Sequence, residues 1–160
     1  MVLVGGQDSY LCTDLLKANN IPVILGNVHA LPGNDDVKVD VPYSTAAMLQ
    51  KAGVLYCLSI RGYWQQRNLP FMAGTTAGYG ISKEEALESV TLNTAKILGI
   101  DKTTGTLEAG KDANIIISPG DVLDMKTNNI EAAFIQGRDI NLDNAQKQPY
   151  EIYKAKYQLK

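Results

Sequence analysis

The residues of this chain that can do chemistry are few and scattered. Its one histidine, His29, sits in "NVHALP", with Asp35 and Asp36 shortly after it, Arg61 behind an apolar run, and Cys12 and Cys57 as its thiols. One neutral imidazole does not make a metal site, because zinc in proteins takes three or four protein ligands. His29 therefore reads as an ordinary loop histidine or as a pocket residue. Asp35–Asp36 read as a solvated acidic loop rather than a ligand pair. Arg61 stays protonated and is all donor, so it can bind an anion or form an ion pair, but it can neither ligate a cation nor accept a proton. The two cysteines are too few for a disulfide framework, and both lie in apolar, patterned segments, so both are expected as buried free thiols. "VLVGG" near the start hints at a phosphate loop, yet it lacks the G-x-G-x-x-G spacing and the lysine that such loops use.

Bulk composition narrows the class. The chain has 160 residues, 45% apolar and 20% charged, with net charge −2 and pI near 5.3. That is a soluble globular composition with no electrostatic footing for nucleic acid. No apolar run approaches the ~20 residues of a membrane span, and "MVLVGGQD" has neither the basic start nor the apolar stretch of a signal peptide. A cytoplasmic protein with no nucleic-acid or membrane partner is expected.

The elements that must position those residues can be read in order. Val2–Gly5 is a short β-branched run, predicted as a buried strand. Asp8 or Ser9 caps a helix whose Leu11, Leu15 and Leu16 recur at helical spacing up to Asn19–Asn20. "IPVILG" is a second strand, and the polar stretch Asn27–Asp40 is a long loop. A helix runs from Pro42 to Gln50 with Gly53 beyond its end, and "VLYCLS" is a third strand. Strand, helix, strand, helix, strand makes two right-handed βαβ units. An aromatic section with Tyr63 and Trp64 leads to a helix over roughly Pro70–Tyr79. Ser82 and Glu85 form a capping box for a further helix up to Gly99, with Ala86, Leu87, Val90, Thr94 and Ile97–Leu98 on its apolar face. Short strands follow at Ala113–Ser118, Ala132–Gln136 and Arg138–Ile140. Tyr150, Tyr153 and Tyr157 line a last helix from near Pro149.

The run "GISKEEALESVTLNTAKILGIDKTTGTLEAGKDANIIIS…IEAAFIQGRDI" resembles the C-terminal end of amidohydrolase-superfamily enzymes, most like the imidazolonepropionase-like members. The resemblance rests on Ala86–Leu87, Thr91, Asn93, Ala95, Leu98–Gly99, Gly105, Gly110–Lys111–Asp112–Ala113 and Gly137. Asn114 stands where that family usually has aspartate. "VLVGGQDSYLCTDLLKANNIPVILGNVHALP" and "AAMLQKAGVLYCLS" look like the family's sixth, seventh and eighth barrel strands with their helices. Lys111 and Asp112 themselves read as a solvated turn before the buried "IIIS", with no chemistry of their own.

The resemblance implies an α/β fold: a partial TIM-barrel-like unit of three β/α repeats over residues 1–100, a small C-terminal β element over 101–142, and a helix or tail over 143–160. It places His29 near the active-site face of the strands. It implies metal-assisted hydrolysis of C–N bonds in amides or ring amides, in which divalent zinc or iron acidifies a bound water. In the family, histidines from the first, fifth and sixth strands and an aspartate at the end of the eighth supply the ligands. The first five strands have no counterpart here, and counting from Gly53 in "AGVLYCLSIRG" puts Arg61 where the aspartate is expected. Ser59, Ile60 and Gly62 are no better. The expectation is a fragment or degenerate member that holds no metal and is inactive alone. A non-catalytic binding module on the same scaffold, or half of a composite site completed by a partner chain, are the alternatives. His29 and Arg61 remain as possible pocket residues. The inner faces of the strands, read as Val2, Val4, Val23, Leu25, Leu55 and Cys57, would lie open. A homo-oligomer or a chain carrying the missing strands is therefore expected as partner, unless the Tyr-rich last helix folds back over the sheet.

Overall fold

The computed structural model describes residues 1–26 and 28–158, so Asn27, the first residue of the expected loop, lies outside the described residues. The three apolar runs form a parallel sheet in sequential order: β1 (Leu3–Gly5), β2 (Val23–Gly26) and β3 (Tyr56–Ser59). The connecting helices are α1 (Thr13–Ala18) and α2 (Val41–Ala52). Sequential order means that each crossover advances the chain one place the same way, which is barrel-type winding rather than a sheet that reverses at a switch point. Pro42 lies in the first turn of α2, and Gly53, at φ 74°, closes the helix with its N–H on the carbonyls of Leu49 and Gln50. A left-handed cap of this kind favours glycine.

Parallel register settles which side chains share a face. Leu3, Val23 and Tyr56 lie side by side, as do Gly5, Leu25 and Leu58. This face carries the core, in which Val23, Leu25, Tyr56 and Leu58 meet Leu16, Leu49 and Met72. Val4, Ile24 and Cys57 occupy the opposite face. The expected single inner face was therefore wrong: Val23 and Leu25 point toward the helices, away from Val4 and Cys57. On the second face Val4 is 64% exposed, with Val2 and Leu55 also exposed.

Two further expectations fail near the start of the chain. The first helix is split into a 3-10 turn at Ser9–Cys12 and the short α1, and the Asp8 side chain caps neither. Leu16 is buried, but Leu11 and Leu15 are 72% and 62% exposed. Cys12 is exposed rather than buried, since the 3-10 turn holds its thiol outward on the Ser9 carbonyl at 3.6 Å. Cys57 is buried as expected, with Thr94 facing its thiol.

After β3 come α3 (Leu69–Ala77), α4 (Lys83–Val90) and α5 (Leu92–Leu98). The capping box is present in both halves, with Glu85 N–H on Ser82 Oγ and Ser82 N–H on the Glu85 carboxylate. The single helix expected up to Gly99 breaks at Thr91, which has φ −126° and ψ −90° and whose hydroxyl donates to the Leu87 carbonyl at 2.8 Å. The buried face of α4 is made by small residues, Ala86 and Ser89, which allow close approach to α3 and β3; Leu87 is turned outward and is 42% exposed. Leu98 is exposed as well, and Asn93 and Ala95 are what α5 buries.

The C-terminal β element is an antiparallel sheet of β4 (Ile115–Ile117), β5 (Ala132–Ile135) and β6 (Arg138–Asp139). Gln136 and Gly137, at φ 51° and 74°, make the two-residue turn between β5 and β6, which demands left-handed backbone at both positions. Gly105, at φ 99°, lets this region meet α5, since a Cβ there would come within 2.8 Å of Ala95. The last helix, α6 (Lys147–Tyr157), begins two residues before Pro149 and buries nothing. It does not fold back over the sheet. Among the described residues no helix is long and apolar enough to cross a membrane.

Candidate functional site

His29 follows β2 and reaches across to α3, where its Nε2 lies 2.7 Å from Thr75 Oγ1. The Thr75 hydroxyl donates to the Phe71 carbonyl at 2.9 Å. A hydroxyl has one proton, so the Thr75 oxygen must accept from His29, which fixes the proton on Nε2. That nitrogen is unavailable to a metal. The imidazole also leans toward Tyr43, at 6.4 Å between ring centroids, and Tyr43 stacks on Tyr79 at 5.4 Å.

Around His29 lies a cleft of about 350 Å³, with α3 on one side and the segment 121–125, between β4 and β5, on the other. Leu123 is buried and seats this segment directly on the backbone of α3 at Gly74. The cleft's charged groups are Lys83, Asp121 and Asp124. Lys83 Nζ and Asp121 Oδ2 are paired at 2.7 Å. Lys83 holds the Asp121 carboxyl below its ordinary range, and the Leu123 N–H adds to the effect. The same bond raises the Lys83 ammonium. Sequence reasoning found His29 but none of these partners. Thr75 and Asp121 each stand far along the chain from what they contact, and no local spacing signals either pairing.

Arg61 does not join His29. It leaves β3 through Ile60, just before Gly62 turns the chain at φ 93° into a 3-10 helix over Tyr63–Asn68. Arg61 is exposed, and no carboxylate among the described residues pairs with it. Tyr63 and Trp64 pack edge to face at 5.7 Å and stand in solvent beside it. A second, smaller cavity of about 60 Å³ opens at the ends of β1 and β2, lined by Gln7, Asp8, Gly26, Asn34 and Thr45 among others, and includes neither His29 nor Arg61. Asp35 and Asp36 are exposed.

The donor set does not fit a divalent metal. β1, the strand that the resemblance would make the sixth, ends in Gly5, β2 ends in Gly26, and β3 is followed, after Ile60, by the cation of Arg61. Among the described residues no three His, Cys, Asp or Glu side chains converge closely enough to hold an ion. An imidazole held by Thr75 beside the Lys83–Asp121 ion pair can bind polar groups.

The fold and the C-terminal motifs define the class: the chain belongs to the amidohydrolase family, whose sequence profile matches residues 10–140. It is 26% identical over 157 aligned residues to the imidazolonepropionase of Flavobacterium psychrophilum, covering 86% of this chain and 38% of that protein. The imidazolonepropionase of Flavobacterium johnsoniae is 26% identical over 129 residues, covering 72% of this chain and 31% of the relative. An amidohydrolase of known structure from Thermotoga maritima superposes with a TM-score of 0.78 at 31% identity, over 88% of this chain and 36% of its own. The chain thus spans well under half the length of the relatives it matches.

Proposed function

We propose that this chain is the scaffold of the last three β/α units of an amidohydrolase barrel together with part of its C-terminal β element, and that by itself it hydrolyses neither amides nor ring amides. Residues 1–100 would form the barrel portion, 101–142 the β element and 143–160 a tail. The observation that carries this reading is at the end of β3. There the chain presents Ser59, Ile60 and Arg61 where the family resemblance calls for a metal-binding aspartate. A guanidinium at that place repels a cation and accepts no proton.

A composite site is a second reading, favoured by one specific observation. The sheet face at β1 and the outer side of the 3-10 turn and helix that follow it are open, with Val4, Leu11 and Leu15 exposed. In a barrel, each β/α unit buries such residues against the preceding one. Further β/α units, on this polypeptide or on another, would cover them.

Arg61→Asp tests the scaffold reading. On the scaffold reading the variant, supplied with zinc or iron, turns over no amide or imidazolone substrate, because the remaining ligands have no residues to come from. Chelator-sensitive turnover by the purified variant would overturn it.

A further inference from the structure

The last helix is amphipathic, but none of its residues is buried among the described residues. Tyr150, Tyr153, Lys154 and Tyr157 fall at i, i+3, i+4 and i+7, which places them on one stripe. All three tyrosines are more than half exposed. Lys154 and Lys156 have no carboxylate partner among the described residues and settle on the helix's own rings, Lys154 5.9 Å from the Tyr150 centroid and Lys156 5.4 Å from that of Tyr157. The described helix carries Lys147, Lys154 and Lys156 against Glu151, a net +2, while residues 1–146 hold 11 Lys and Arg against 16 Asp and Glu, a net −5.

A matching stripe lies on α4. Glu84, Leu87, Glu88 and Thr91 repeat the same i, i+3, i+4, i+7 spacing on the outward face, and all four are exposed. Glu85 is occupied by the capping box and Lys83 by Asp121, but Glu84 and Glu88 pair with no cation among the described residues. One helix therefore offers aromatic rings flanking an ammonium, and the other a leucine flanked by carboxylates. We propose that α6 of one copy docks on the outward face of α4 of a second copy, reciprocally, with Lys154 between Glu84 and Glu88 and the tyrosines over Leu87. The result is a two-fold dimer in which each interface is used twice. This stands apart from the scaffold reading, since it needs neither metal nor the open sheet.

The test is a charge swap read by sedimentation velocity across a dilution series at low and high salt. The wild-type chain should be a dimer at tens of micromolar, with dissociation promoted by salt. Lys154→Glu should weaken the dimer about tenfold or more, and so should the double variant Glu84→Lys/Glu88→Lys. Circular dichroism should show each variant folded like wild type. Mixing the two variants should restore a heterodimer of wild-type strength, because both interfaces then pair opposite charges. A monomeric wild type, a dimer indifferent to either variant, or a mixture that fails to associate would overturn the proposal. So would a helix that binds anionic vesicles of phosphatidylserine while the chain stays monomeric.

Discussion

Replacing Gly74 with alanine sets two effects of known size against each other. Gly74 lies inside α3 with ordinary negative φ, so helix propensity alone favours alanine there by about 1 kcal/mol. The added Cβ, however, would sit 3.0 Å from the carbonyl carbon of Leu123 and closer still to its oxygen. Both partners are backbone, so no side chain can rotate away, and the segment at 121–125 must lift. Overpacking of this kind costs about 1–3 kcal/mol, and partial loss of the seat of Leu123, which is 7% exposed, adds a fraction of the roughly 1.5–3 kcal/mol that burying a leucine gives. The clash wins. Gly74→Ala should destabilise by about 1–2 kcal/mol net, which for a domain of this size lowers the thermal midpoint by roughly 2–8 °C. Thermal unfolding followed by far-UV circular dichroism measures it. A midpoint equal to or above wild type would refute the reasoning, and with it the seating of the cleft wall on α3.

Further perturbations follow from burial and from charge. Leu49→Ala, at a fully buried position of α2, should cost about 2–5 kcal/mol in urea unfolding, whereas Leu87→Ala on the outward face of α4 should cost well under about 1 kcal/mol; a reversed order would mean that α4 is rotated from its described face. Ser82→Ala removes an N-cap and should cost about 0.5–2 kcal/mol. Glu85 is held below its ordinary value of 4.5, first by the Ser82 backbone N–H and then by the Gln50 amide and the Ser82 hydroxyl. Its stabilisation is therefore complete above pH 4.5 and is lost as pH falls through the lower folded value. Glu85→Gln should flatten the acid side of the stability profile, and an unchanged acid limb would contradict the assignment.

What the sequence discloses here is local. Ser82 and Glu85 announce the start of α4 because both halves of a capping box lie within one turn. Pro42 and Gly53 bracket α2 for equally local reasons, and short apolar runs mark all three parallel strands. Failures begin where a pattern must be assigned to a partner. Leu11 and Leu15 have helical spacing, but spacing cannot distinguish a helix face that meets its own core from one left in solvent. The paired faces of the sheet depend on register, so Val4 and Val23, alike in sequence, point opposite ways. Thr91 breaks a helix that its neighbours would continue, through a bond from its own hydroxyl to Leu87. His29 could be singled out, being the one imidazole. Its proton position was not legible, since it depends on Thr75 and Phe71, which the fold brings up from 46 and 42 residues away.

The central claim is that this chain keeps the amidohydrolase scaffold without a metal-holding donor set of its own. Elemental analysis of the purified chain, after incubation with zinc and iron and exhaustive dialysis, tests it most directly. The account predicts well under one equivalent of any divalent metal per chain, unchanged by replacing His29 with alanine. About one tightly retained zinc or iron per chain, lost in the His29→Ala variant, would contradict it.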